Sequence, residues 1–167
     1  MREHLGIPTP TGSALASVAG KHVRDVLCDS EERDAASYSY LIIEFSDEST
    51  IGIGVDVMER RGAEFNVITL ELPDNRARHN RWPGGPNVLW ATASRIALVI
   101  RGEVISSIAV DSEDDYFVTE EFESDFLVDR AVIFRFESGR LLKLRTSDMP
   151  GFLEVEINGR VLAAPGI

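Results

Sequence analysis

The sequence predicts a mainly β fold, shading into α+β if one or two short helices are counted. The expected architecture is a duplicated antiparallel β-meander, with two similar four-stranded halves packed as a sandwich or partly open barrel. Three observations lead there. In residues 41–57, LIIEFSDESTIGIGVDV, apolar side chains alternate, stop at a polar turn and alternate again. That period of two marks a half-buried hairpin. Residues 132–149, VIFRFESGRLLKLRTSDM, repeat the pattern 91 positions later, with Ile43 on Phe134, Phe45 on Phe136, Ile51 on Leu142 and Met58 on Met149. Upstream of both hairpins a second match runs at an offset of 82: Gly20 on Gly102, Val23 on Ile105, Val26 on Ile108. The growth from 82 to 91 means nine extra residues in the second half.

The chain of 167 residues divides into a tail with a short helix (1–19), a first repeat (20–72), a connecting loop and apolar segment (73–100), and a second repeat (101–167) with an acidic insertion at 115–128. One compact domain is expected, because units of half this length bury too little surface alone. Ser13 suits a helix cap and Gly20 a helix stop. Residues 22–28, HVRDVLC, read as a strand, and the polar run 29–37 as a loop. Strands follow at 38–45 and 50–58, with Gly52 and Gly54 on the face opposite the apolar stripe. Glycine there marks a bend or a close approach. Residues 59–62, ERRG, form a turn, and 65–72, FNVITLEL, a fourth strand rich in β-formers. Residues 73–87 hold three prolines and two glycines and read as irregular. The nearly continuous apolar run 88–100 predicts a helical piece at 87–94 followed by extended IALVI. In the second half, residues 152–157 stand where 65–70 stand in the first. Asn158-Gly159 is a two-residue hairpin turn, which puts Val155 beside Leu162. Parity in the two main hairpins pairs Phe45 with Ile51 and Phe136 with Leu142, which demands odd-numbered loops. Gly139 falls where the first half has Glu48, so that loop position is expected to take a positive φ.

Net charge is −11, which disfavours a nucleic-acid binder and permits a basic protein partner. No apolar run reaches the length that spans a bilayer, so no membrane role is expected. The lone Cys28 and the missing secretory signal point to the cytoplasm. His4, His22 and His79 are far apart, and no nucleophile elbow or phosphate loop occurs. No catalytic residue, cofactor or metal site is therefore expected.

Two stretches stand out as surfaces. Residues 111–129, DSEDDYFVTEEFESDFLVD, carry nine acids, no base, and interleaved aromatic residues. The candidate partner-binding residues there are Asp114, Asp115, Tyr116, Glu120, Glu121, Phe122, Glu123 and Asp125. The competing reading makes Phe117, Phe122 and Phe126 core residues of an extra strand or hairpin with acids on its wet face. The second stretch gathers Arg76, Arg78, His79, Arg81 and Trp82, residue types suited to a ligand or anion contact.

The FSDES and FESGR turns, together with the acidity, resemble those of small bacterial domains, some immunity proteins that neutralise toxin partners among them. The likeness covers the two hairpins and implies protein binding; it assigns no residue a role. The first expectation is a non-enzymatic binding module, of immunity or regulatory type, that docks its acidic-aromatic surface on a basic partner. The alternatives are a small-ligand or enzymatic domain using residues 76–82, and a homodimer formed through a sheet edge.

Overall fold

In the computed structural model the described residues are 2–7, 15–33, 35, 37–71, 88–118, 120 and 123–165. The fold is mainly β, two sheets packed face to face and not closed into a barrel. The first sheet follows the order β5 (Ala63–Glu71), β4 (Thr50–Arg60), β3 (Tyr40–Phe45), β2 (Val23–Asp29), β6 (Trp90–Thr92). The second runs β7 (Ile105–Val118), β8 (Glu123–Phe136), β9 (Leu141–Thr146), β10 (Leu153–Ile157), β11 (Arg160–Ala163). A short strand β1 (Glu3–Leu5) lies parallel to β8 at Phe126, Leu127 and Val128, beyond the stretch that β9 pairs. The helix α1 (Ser94–Ile100) joins the sheets.

The inward stripes are the ones the alternation predicts. Leu41, Ile43, Phe45, Ile51 and Ile53 from the first sheet meet Val132, Phe134, Phe136, Leu142 and Leu144 from the second in one buried cluster. Each such side chain contributes roughly 1.5–3 kcal/mol when fully buried. A smaller cluster of Leu5, Ala63, Phe65, Val67, Phe126 and Val128 fills the far end of the sandwich. There the Phe65 and Phe126 rings pack with centroids 4.7 Å apart, tilted by 47°.

The meander order β2–β3–β4–β5 recurs as β7–β8–β9–β10. Order alone is what consecutive antiparallel strands give by default. The hydrogen bonds between the halves are more particular. Gly20 N–H donates to Ile105 O, and Gly102 N–H to Val23 O. Val23 N–H donates to Glu103 O, and Ile105 N–H to Lys21 O. These pairs are related by a local twofold at the His22–Val104 bridge. Farther out, Ser46 N–H bonds His22 O while Glu137 N–H bonds Val104 O. Both halves also carry a bulge at the same place, between Val23 and Asp25 and between Ile105 and Ser107.

Each main hairpin closes through three residues. Phe45 N–H reaches Ser49 O and Phe136 N–H reaches Arg140 O, with Glu48 at φ 68° and Gly139 at φ 88°. A type I turn followed by a left-handed residue is the three-residue solution. The loops are odd-numbered and the positive φ falls where expected, but the partners differ: Ile43, not Phe45, faces Ile51, and Phe134, not Phe136, faces Leu142. Asn158 (φ 49°) and Gly159 (φ 79°) form the expected two-residue turn. A bulge after Val155 then moves its partner from Leu162 to Ala163. On Gly54, an added Cβ would meet the Tyr40 ring at 2.5 Å, so this glycine marks a close approach.

Residues 88–100 correct the expectation. The extended piece comes first, as β6 pairing β2 at Leu27, Cys28 and Asp29, and the helix second. The helix buries Ile96, Ala97 and Ile100 and turns Leu98 to solvent. The nine extra residues of the second half lengthen β7 and β8, which pair from Ile105–Phe136 out to Val118–Glu123.

Candidate functional site

The outer half of the β7–β8 hairpin has two faces. On β8 the even-numbered residues Phe126 and Val128 turn inward to the second cluster, and Phe117 of β7 packs against it. The opposite face carries Asp114, Tyr116 and Val118 on β7 beside Leu127, Asp125 and Glu123 on β8. Tyr116 is 54% exposed and Val118 60%, an aromatic and an aliphatic side chain standing in water between acids. Alternation explains both: the inward positions are fixed by burial, and the outward ones are free to be anything.

The candidate residues therefore divide. Asp114, Tyr116, Glu123 and Asp125 share the outer face, and Glu120 is exposed near the tip. Asp114 is paired with Arg2. Asp115 turns to the inner side, where its carboxylate takes a hydrogen bond from Arg130 at 2.7 Å. Glu121 and Phe122 lie outside the described residues, as do Arg76, Arg78, His79, Arg81 and Trp82. Of the aromatic residues at issue, Phe126 is a core residue at 1% exposure. The core reading thus holds for Phe126, while Tyr116 remains on the surface.

Two features nearby were not anticipated. Arg130 continues the inward stripe Phe126, Val128, Val132, Phe134 at a bulge in the β7–β8 ladder, so a cation sits between the two apolar clusters. It reaches across to donate to Asn66 O at 2.6 Å and lies 3.9 Å from Glu113. Around it opens a polar cleft of about 320 Å³ lined by Asn66, Glu113, Arg145, Thr146, Ser147 and Asp148. The interruption of an apolar stripe by Arg130 was a visible signal in the sequence; its partners, far away along the chain, were not. A shallower apolar cleft of about 480 Å³ adjoins it at Ser147 and Asp148 and reaches Glu154. Burial and a hydrogen bond with Glu156 raise the Glu154 carboxyl above its ordinary range.

The second feature is Asp129, 2% exposed. It accepts from Ile7 N–H at 2.8 Å and Ser112 Oγ at 2.5 Å, and His4 Nε2 lies 2.9 Å away. Gly6, at φ 146°, lets the chain pass where an added Cβ would strike this carboxylate at 2.4 Å. Asp129 thereby fastens β1 to β8.

Among the described residues no three His, Cys, Asp or Glu side chains are placed to hold a metal ion. No helix among them is long and apolar enough to cross a membrane. The arrangement offers charge, exposed apolar area and a strand edge, which are means of binding. No family model, no curated protein and no solved structure matches this chain.

Proposed function

We propose that this protein is a non-enzymatic binding module, of immunity or regulatory type and cytoplasmic, that docks the outer half of its β7–β8 hairpin on a basic protein partner. The observation that carries the reading is the outer face itself: Tyr116 and Val118 exposed among Asp114, Glu123 and Asp125, on a hairpin whose β8 strand buries Phe126 and Val128 on its other face. Acids steer a basic partner to the site, and a desolvated aromatic side chain holds it there.

The test uses a partner captured from the native host and then purified. Glu120→Gln, Glu123→Gln and Asp125→Asn together should slow association roughly tenfold at low salt and converge with wild type near 1 M, where the screening length is about 3 Å. Tyr116→Ser should speed dissociation while leaving the melting temperature unchanged. Equal association rates for wild type and the triple variant at low salt would refute the reading.

A further inference from the structure

Resting on that reading, we infer that the partner is taken as an added β-strand: an extended, lysine- or arginine-bearing segment that pairs with the free edge of β7 at residues 112–118. Beyond Ile105, which also bonds Gly20 and Lys21, β7 is an edge strand that among the described residues is hydrogen-bonded to β8 alone. Among the described residues, no backbone group of residues 106–118 bonds to anything beyond that ladder. The strand at the same place in the other sheet, β2, has its outer edge taken by β6 through Leu27, Cys28 and Asp29. The fold thus contains a filled example of the edge that β7 leaves open. β7 runs for 14 residues, of which only Ile105 is buried. A long exposed edge is a template for another strand, and backbone hydrogen bonds give such binding its affinity.

Charge selects the occupant. Glu113, Asp114 and Asp115 lie on the edge strand itself, and Glu120, Glu121, Glu123 and Asp125 follow in the sequence, with no basic residue between them. Arg2 and Arg130 engage Asp114 and Asp115, and no ion pair among the described residues engages Glu123 or Asp125. A second copy of this chain would set acids against acids, and like charges across strands repel. A basic segment in extended form meets the opposite condition. Its alternate side chains would lie beside Asp114 and Tyr116, where a cation gains both a carboxylate and an aromatic face.

The probes are a short peptide of alternating lysine and valine, and the same peptide with the backbone nitrogens of one edge methylated. Binding is followed by fluorescence anisotropy at low salt, and protection by amide hydrogen exchange of the full chain. The unmodified peptide should slow exchange at alternate amides of residues 112–118 by about tenfold or more, and the methylated one should bind at least about tenfold more weakly. Equal binding of both peptides without protection of β7 overturns strand addition and leaves docking by charge standing. Failure of both peptides to bind also overturns strand addition, while the association rates of the captured partner decide the docking reading separately.

Discussion

The two halves build the same frame from different side chains. In the first, Lys21 Nζ donates to Asp47 at 2.5 Å and to Ser49 Oγ at 2.6 Å. At the corresponding places in the second, Glu103 accepts from Ser138 at 2.7 Å and from Arg140 at 3.0 Å. The cation of one half is the anion of the other, yet the backbone bonds about His22 and Val104 are matched. Backbone geometry therefore fixes the frame, and the side chains on it can reverse charge. The halves part company beyond Asp29 and Asp111. After Asp29 the first half turns at once into a 3-10 helix, Ser30–Glu32, whereas the second continues as paired strands to Val118 and Glu123.

The sharpest way to break this comparison is to remove the support of the extension. Phe126→Ala should cost about 3–5 kcal/mol, because the cluster it fills is small and cannot close around the loss. Tyr116→Ala, on the opposite face of the same hairpin, should change stability by less than about 0.5 kcal/mol. A thermal melt of each decides. Similar melting temperatures for the two variants would mean that the extension has no core of its own. Asp129→Ala leaves the Ile7 N–H without its buried acceptor and should cost about 1–3 kcal/mol. Faster amide exchange across Glu3–Leu5, with β9 and β10 unchanged, would place the loss at β1.

The strands were legible in the sequence where one face is buried, because burial imposes a period of two on residues such as Phe134, Phe136, Leu142 and Leu144. The order of strand and helix in residues 88–100 was not, since an almost unbroken apolar run has no period to read. The register errors have local causes. Three-residue loops shift Phe45 away from Ile51, and the bulge after Val155 moves its partner by one residue. The acidic surface was visible because its residues are neighbours in the chain. The cleft at Arg130 was not, because Asn66, Arg130 and Asp148 meet only when the sheets pack.

The matched turns allow a smaller test. Glu48 and Gly139 both have positive φ, where glycine alone carries no steric cost. An added Cβ at Gly139 meets nothing within 4 Å, so only backbone conformation is at issue there. Gly139→Glu should destabilise by roughly 1 kcal/mol, and Glu48→Gly should stabilise by a few tenths. Denaturant melts of both variants would show opposite signs; equal signs would mean the two turns are not equivalent.

The smallest expected effect separates the reversed charges. The Lys21 ammonium, through its hydrogen bond, and then Ser49 hold the Asp47 carboxyl down to about 2. A free aspartate titrates near 3.9. The folded value is the lower one, so the stabilisation is present above about pH 4 and is lost as pH falls through about 2. The Asp47 side chain is 53% exposed. Solvent screening therefore limits the contribution to less than about 1 kcal/mol. Asp47→Asn should be slightly less stable than wild type at neutral pH, and the gap should close between about pH 4 and pH 2. Added salt should shrink it at any pH. Ser138, at the matching place in the second half, does not titrate, so Ser138→Ala removes no ionising group from that turn. Urea melts across the acid range measure the gap. A difference that stays constant down to about pH 2 would mean that Asp47 acts through its hydrogen bonds as a turn residue, and that its charge contributes nothing to the first half.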